Sequence, residues 1–191
     1  MMKCIFNLLG AAVLVVVAAS ASAQAQNWTK DSAAALFNQG HYAEALDAYR
    51  ALLDKDAPPK DYAAFLRSAV SCLNNLGRLD EFDALVEQAA AAHPHNPELL
   101  YTAANLYRET THYGYLVSDK FSRGYPRGGA VRPVNPVERD RTRTLQLLIA
   151  AKKSAARNDN IFPDIQFAIA DVLTRDASAG EAWRLTHLSA L

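Results

Sequence analysis

The sequence predicts an all-α protein in which antiparallel helix pairs stack as a short right-handed solenoid interrupted by one long ordered loop. Alanine and leucine are frequent and follow helical spacing, while no alternating strand pattern is evident beyond the N-terminal apolar segment. Two segments share one helix–turn–helix layout. A third segment begins in the same way, but a stretch rich in glycine, proline and arginine occupies the position expected for its second helix.

The first 23 residues have the composition of a secretory signal peptide. Lys3 gives a short positive region, an apolar run extends from Ile5 to Ala19, and Ala21 and Ala23 form an A-x-A pattern. A retained membrane anchor is the alternative, but the run is shorter than the roughly 20 apolar residues that a spanning helix needs. We therefore expect an exported protein of the periplasm or cell envelope, with no membrane span after cleavage.

Net charge and cysteine content argue against two classes of protein for the mature chain, nucleic-acid-binding proteins and disulfide-stabilised domains. Removing the leader takes away one lysine and no acid from a chain with 20 residues of each sign, so the remainder is close to neutral and offers nucleic acid no general attraction. Cys72 is then the one remaining cysteine, which excludes a disulfide framework. Its small and apolar neighbours predict a buried side chain; a reactive or intermolecular thiol is the alternative.

The repeated layout occupies residues 27–111. Ala35–Pro59 and Ser71–Pro94 each contain a helix ending at a glycine, a second helix and a proline, and Gly40 and Gly77 mark the same point. This layout resembles the 34-residue tetratricopeptide repeat, with a short insertion around residues 58–60. The resemblance implies helix pairs whose first helices line a concave groove. The groove would hold a peptide backbone through Asn38, Asn74, Asn75 and Asn105.

Small and large residues alternate on the predicted helices as close helix packing requires. Ala45 and Ala104 allow two helices to approach, and Tyr49, Leu73 and Tyr107 fill the space beside them. The third pair opens at residues 96–98 with an N-cap asparagine, a proline at the first helical position and an early acid. These features predict one continuous core shared by neighbouring pairs.

Residues 112–135 form the predicted loop. A flexible linker would lack its many aromatic residues, and long ordered loops in compact domains are usually functional. Basic and aromatic residues that alternate in this way can also bind single-stranded nucleic acid, which a neutral exported chain disfavours. We expect the loop to pack its aromatic rings and to dock a neighbouring protein domain through Tyr113, Tyr115, Lys120, Phe121, Arg123, Tyr125, Arg127 and Arg132.

Helices are expected to resume over residues 136–191. One starts at Asn135-Pro136 and a second covers Asp164–Arg175. A capping box at Ser178–Glu181 opens a last segment that stops at Leu191, which we interpret as a truncation point. The charged stretch Glu138–Arg143 is expected to be a solvated helix face; binding of phosphate or an acidic partner is the alternative.

Candidate catalytic and metal-binding residues are few. Five histidines are present, and the tightest pair, His93 and His95, has no further ligand at a suitable spacing. No nucleophile, P-loop or dinucleotide-binding motif occurs. The sequence therefore predicts no catalytic residue, no metal and no cofactor. A helical enzyme stays an alternative that the histidines alone support.

Two motifs carry a second resemblance. Lys120-Phe121, Arg123-Gly124 and Arg127-Gly128-Gly129 precede Glu138-Arg139-Asp140-Arg141. Together with the helix pairs and the leader, they resemble the N-terminal helical region of large exported bacterial alpha-2-macroglobulin-like proteins, a family that traps proteases. The resemblance implies that this chain is a leading segment. It contains no Cys-Gly-Glu-Gln thioester motif and no bait region, so the trapping chemistry would lie elsewhere.

The sequence thus favours a non-enzymatic exported module that docks other domains of a longer chain. The alternative is a stand-alone periplasmic adaptor that binds a peptide or protein in its concave groove.

Overall fold

The computed structural model describes residues 27–55, 57–117, 120–125 and 131–175, which form seven α-helices and one small sheet. The mainly helical fold agrees with the prediction, whereas the strands make the all-α assignment wrong in this detail. The helices are α1 (Lys30–Asn38), α2 (Tyr42–Leu53), α3 (Pro59–Leu76), α4 (Phe82–Ala92), α5 (Pro97–Glu109), α6 (Val137–Ser154) and α7 (Phe162–Arg175). The strands are β1 (Gly114–Val117), β2 (Lys120–Arg123) and β3 (Val131–Val134).

Helices α1 and α3 end in the same way, which accounts for the two equivalent glycines. Gly40 and Gly77 have left-handed φ angles of 81° and 65°. In both turns the amides of the glycine and of the next residue return to carbonyls three and five residues earlier, at 2.9–3.2 Å. This is the Schellman ending, and only glycine adopts its left-handed position without strain. The matched turns support the helix–turn–helix layout read from the sequence.

The core runs through successive helices. α2 packs between α1 and α3, α3 packs on α5, α5 on α6, and α6 on α7. Ala45 and Ala104 are fully buried at these crossings, with Tyr49, Leu73 and Tyr107 buried beside them, as the sequence predicts. Cys72 is also fully buried. A regular right-handed tetratricopeptide solenoid stays a prediction.

Helices α5 and α6 pack against each other although the three strands separate them in the chain. Asn96 caps α5, because its Oδ1 accepts from the amide of Leu99 at 3.0 Å. The start of α5 is therefore confirmed. α6 begins one residue later than predicted, at Val137, because Pro136 takes the N-cap position; Asn135 lies just before it and accepts from the amide of Val137 at 3.0 Å.

The predicted loop at 112–135 contains an antiparallel sheet with strand order β2-β1-β3. Gly114 of β1 faces Arg123 of β2 and Val134 of β3. The strands are four residues long, and glycine and arginine occupy inward positions, so the usual apolar alternation is missing from the sequence. In the described part of this segment the backbone pairs as three strands, where the sequence predicted an ordered loop.

Several predicted features lie outside the described residues: the leader at residues 1–23, Arg127, the Ser178–Glu181 capping box and the last segment to Leu191. α7 begins two residues before the predicted Asp164 and ends at the predicted Arg175. In the described ranges, no helix combines the length and the apolar character that crossing a membrane requires.

Candidate functional site

The two faces of the sheet have opposite environments. Side chains alternate along a strand, so Phe121 and Arg123 share the face that meets the helices, while Tyr115 and Val117 share the other. Arg123 is fully buried, whereas Val117 is exposed. The sheet therefore has one face anchored to the helical core and one face directed to solvent.

Arg123 is the anchor. Its Nε and Nη2 donate to the two carboxylate oxygens of Asp83 on α4, at 3.1 and 3.0 Å. Its Nη1 and Nη2 donate to Asp140 on α6, at 2.8 and 2.9 Å. Nη1 also donates to the carbonyl oxygen of Thr111, at 2.8 Å. All five N–H groups of the guanidinium thus have an acceptor, which is the condition under which a buried arginine is tolerated.

Asp140 is the buried partner of Arg123. The side chains of Arg123 and Asp140 are 0% and 1% exposed. Burial raises the pKa of Asp140, but the hydrogen bonds from Arg123 and His112 outweigh it and lower the pKa below its usual range. Burial lowers the pKa of Arg123, but the hydrogen bonds to Asp140 and Asp83 have the larger combined effect. The pKa of Arg123 is therefore raised above its usual value. Both groups stay charged at neutral pH.

Aromatic rings surround the buried guanidinium. The Cζ atom of Arg123 lies 5.1 Å from the centre of the Phe82 ring and 5.4 Å from that of Phe121. Arg139 covers Phe121 at 4.4 Å and donates from Nη2 to Asp83 at 2.8 Å. Phe121 therefore lies between two guanidinium groups, an arrangement that cation–π attraction stabilises.

Gly114 makes room for this packing. A Cβ atom there would lie 2.5 Å from the carbonyl oxygen of Ser122 and 2.6 Å from Cε2 of Phe121. Any side chain at this position would push the Phe121 ring away or separate β1 from β2. Glycine is therefore the residue that fits here, because there is no room for a Cβ atom.

A second set of hydrogen bonds joins α4 to α5 and α6. Glu87 of α4 accepts from the Tyr107 hydroxyl of α5 at 2.7 Å and from Nε of Arg143 on α6 at 2.7 Å. Burial and the Glu87 bond raise the pKa of Tyr107, so its hydroxyl stays protonated and donates. These bonds fix the helices on which the sheet rests.

The two motifs that carry the family resemblance meet in this cluster. Phe121 and Arg123 belong to the first motif, and Arg139 and Asp140 belong to the second. Neither motif completes the cluster without the other, because the buried charge of each needs its partner. Sequence reasoning missed Asp83, and no local pattern in α4 marks it.

Tyrosines gather on the solvent side. The Tyr113 and Tyr115 rings lie edge to face with centres 5.1 Å apart, and their hydroxyl groups are hydrogen-bonded. Tyr125 leans on Tyr113 at 5.6 Å and is 86% exposed. Tyr113 and Val117 are also exposed. We name Tyr113, Tyr115 and Tyr125 the tyrosine surface; it brings together three of the predicted docking residues.

A groove of about 650 Å³ borders the tyrosine surface. Tyr113 and Tyr125 form part of one wall, and Gly77, Leu79 and Asp80 of the turn after α3 belong to its lining. The groove is largely apolar with one carboxylate. Tyrosine supplies a large rigid contact area together with a hydrogen-bonding hydroxyl, which suits protein recognition.

The remaining predicted docking residues have different environments. Lys120 and Arg132 are exposed on the sheet, and Arg127 lies outside the described residues. Phe121 is half-buried beneath Arg139. Arg123 corrects the prediction, because its side chain is wholly engaged inside the molecule and cannot contact a partner.

The predicted asparagine groove receives little support from side-chain positions. Asn38 and Asn74 are exposed at the ends of α1 and α3, and Asn75 donates to the carbonyl oxygen of Ser71 at 2.8 Å. Asn105 accepts from Arg108 at 3.2 Å and borders a different cavity, between α5, α6 and α7. That cavity is not lined by the other three asparagines.

Two histidines in the described residues, His93 and His112, have side-chain contacts inside the molecule. His93 stacks on Tyr62 with ring centres 3.8 Å apart, and its Nε2 is 2.6 Å from the carbonyl oxygen of Leu53. His112 binds Asp140 through Nδ1 at 2.9 Å. Among the residues that the structure describes, no group of three or more histidine, cysteine, aspartate or glutamate side chains is arranged to hold a metal ion.

The site is therefore a small sheet with a buried ionic anchor on one face and the tyrosine surface on the other. The tyrosine surface offers area for recognition, whereas Arg123 and Asp140 of the anchor are engaged in internal hydrogen bonds. Comparison of the chain with models of known protein families, with curated proteins and with solved structures finds no match.

Proposed function

We propose that this chain is an exported, non-enzymatic helical module that docks another protein domain through its tyrosine surface. The cluster of the exposed Tyr113 and Tyr125 with the half-buried Tyr115 carries the proposal. Exposed aromatic clusters on an otherwise polar surface mark interaction sites, and tyrosine is enriched among the residues that dominate binding energy. Arg123 supports the same role, because it holds the opposite face of the sheet and presents the tyrosines without a large ordering cost.

We further propose that the docked domain belongs to the same, longer polypeptide, of the alpha-2-macroglobulin-like kind. The support is the resemblance of the two motifs, together with the physical dependence of each on the other at Arg123 and Asp140. In this proposal the module lies at the front of a protease-trapping protein and contributes no trapping chemistry. Export rests on the leader expected at residues 1–23.

Photocrosslinking tests the docking role. A benzophenone amino acid replaces Tyr125 in the protein expressed from its native gene, and crosslinked products are identified by mass spectrometry. We expect one dominant protein partner, lost when Tyr113 is also changed to alanine. The matched control carries the same probe at Phe167, an exposed aromatic residue of α7 away from the sheet. Equal crosslinking from both positions, or none from Tyr125, would contradict the proposal.

The native reading frame tests the longer-chain proposal separately. A frame that continues beyond codon 191 into β-rich domains is expected, with the Tyr125 crosslink falling inside the same polypeptide. A stop codon directly after Leu191 would refute membership of a longer chain. A crosslink to a separate protein would then still support docking, so the two proposals fail independently. Recovery of the protein from the cell envelope with residues 1–23 removed would support export.

A further inference from the structure

The groove beside the tyrosine surface contains one accessible charge. Asp80, in the turn after α3, is exposed and lines the groove together with Tyr113 and Tyr125. Arg123 also borders the groove, but its side chain is 0% exposed and its N–H groups are bonded inside the molecule. Of the charged groups that line the groove in the described residues, Asp80 is therefore the one that a partner can reach.

Asp80 has no salt bridge to any residue that the structure describes, because the neighbouring arginines are engaged elsewhere. Arg78 donates to Glu81 at 2.5 and 2.9 Å, and Arg50 donates to the same carboxylate at 2.7 Å. The pKa of Arg78 is raised chiefly by its hydrogen bond to Glu81, and Asp80 makes the smallest contribution. The Asp80 carboxylate is thus available to a cation from outside.

Two backbone contacts hold Asp80 and the tyrosines close together. The amide of Gly124 donates to the carbonyl oxygen of Tyr113 at 3.0 Å. A Cβ atom at Gly124 would lie 3.4 Å from Cβ of Leu79, so these two segments are in contact. Tyr125 and Asp80 are the next residues along the chain from this contact. The carboxylate and the aromatic rings therefore border the same small space.

Tyr113 and Tyr125 offer the groove ring surface. The hydroxyl group of Tyr113 is bonded to that of Tyr115, whose ring lies edge to face against it. The ring planes of Tyr113 and Tyr125 are inclined by 59°, so the two rings do not cover each other face to face, and Tyr125 is 86% exposed. The faces of aromatic rings carry partial negative charge. The rings and the carboxylate thus favour the same ligand charge, which is positive.

We propose that the protein domain docked by the tyrosine surface places an arginine side chain in this groove. The guanidinium stacks on the ring of Tyr113 or Tyr125 and donates to the carboxylate of Asp80. A planar guanidinium can do both at once, whereas the ammonium group of lysine is a compact and strongly hydrated charge. The hydrocarbon stem of the arginine packs on Leu79 and Val117 of the lining. This inference rests on the proposed docking role and names the group of the partner that is recognised.

Titration of the full chain with blocked tripeptides tests the proposal. The protein carries ¹³C in its tyrosine rings, and the variants Tyr113→Phe and Tyr125→Phe assign the two resonances. The peptide leucine–arginine–leucine is expected to shift both resonances saturably at millimolar concentration. Its citrulline counterpart keeps the shape but has no charge, so it should bind about tenfold more weakly. The lysine counterpart should also bind more weakly than the arginine peptide.

Variants locate the bound guanidinium. Asp80→Asn preserves the shape of an exposed side chain and should weaken binding of the arginine peptide about tenfold, while binding of the citrulline peptide stays unchanged. The matched control is Asp164→Asn, at an exposed acid in the first turn of α7, which should change neither.

Three results would overturn the proposal. No shift of either tyrosine at about 10 mM arginine peptide would overturn the groove as the site. Equal affinity for the citrulline peptide would overturn the cation, and equal affinity for the lysine peptide would overturn the guanidinium. In each case the crosslink from position 125 still decides the docking role, so the two proposals fail separately.

Discussion

Replacing Arg123 with methionine is the most direct test of the anchor. The change keeps an unbranched side chain of similar length but removes the five hydrogen bonds to Asp83, Asp140 and Thr111. Asp83 keeps Arg139 at 2.8 Å and some exposure to water. Asp140 keeps only His112 at 2.9 Å and a distant Arg139 at 3.6 Å. The loss therefore falls mainly on Asp140.

A buried charge that loses its partner costs about 3–5 kcal/mol. We expect the free energy of unfolding of Arg123→Met, measured by urea titration with far-UV circular dichroism, to fall by that amount. Amide hydrogen exchange should show β1 and β2 losing protection before the helices. Arg132→Met, at an exposed arginine of the same sheet, should change stability by no more than about 0.5 kcal/mol.

The double variant Arg123→Met/Asp140→Leu separates a buried charge from lost packing. If the cost arises from the unpaired carboxylate of Asp140, the double variant recovers much of the stability lost by Arg123→Met. A loss below about 1 kcal/mol for the single change would refute the anchor. A double variant no more stable than the single would refute the buried-charge explanation.

Three further predictions address neighbouring features. Because the folded state lowers the pKa of Asp140, the stability that this carboxylate contributes is complete above about pH 4 and is lost as the pH falls below it. Urea titrations at several pH values should show that the free energy of unfolding falls less steeply at acid pH in Asp140→Asn than in the unchanged protein. An equal fall in both proteins would contradict this prediction. Gly114→Ala should cost about 1–3 kcal/mol by thermal unfolding, because its Cβ would lie 2.5 Å from the Ser122 carbonyl oxygen; a neutral effect would show that the strands can separate freely. Burial raises the pKa of Cys72 to about 11, so a thiol reagent should label a Cys4→Ser chain only on unfolding, and rapid labelling at neutral pH would refute the burial.

Sequence reasoning predicted the features that local chemistry determines. The glycines at 40 and 77 end their helices as expected, because a left-handed residue is a local requirement. Asn96 caps α5 because an N-cap bond spans only three residues. The buried environment of Cys72 followed from its small and apolar neighbours in the sequence. Each of these depends on residues close together in the chain.

The sheet and its anchor could not be predicted in the same way. Arg123 bonds Asp83, 40 positions earlier, and Asp140, 17 positions later, and no local pattern records such distances. The prediction that Arg123 contacts a partner was therefore wrong, because its side chain is buried. Tyr113 and Tyr125 were predicted as docking residues from their residue type, and they lie together on one exposed surface. The strand signal was weak because an inward arginine and Gly114 replace the usual apolar residues.

The position of Arg123 also has a consequence for folding order. Its bonds join residues 12 to 40 positions apart, whereas the helix pairs form mostly local contacts, which assemble faster. The guanidinium must lose its water before those bonds are complete, so the sheet should close after the helices have met. Substitutions at the anchor would then accelerate unfolding and leave the folding rate almost unchanged. We therefore expect the tyrosine surface to form last and to be lost first, so that any molecule bound to it prolongs the lifetime of the native chain.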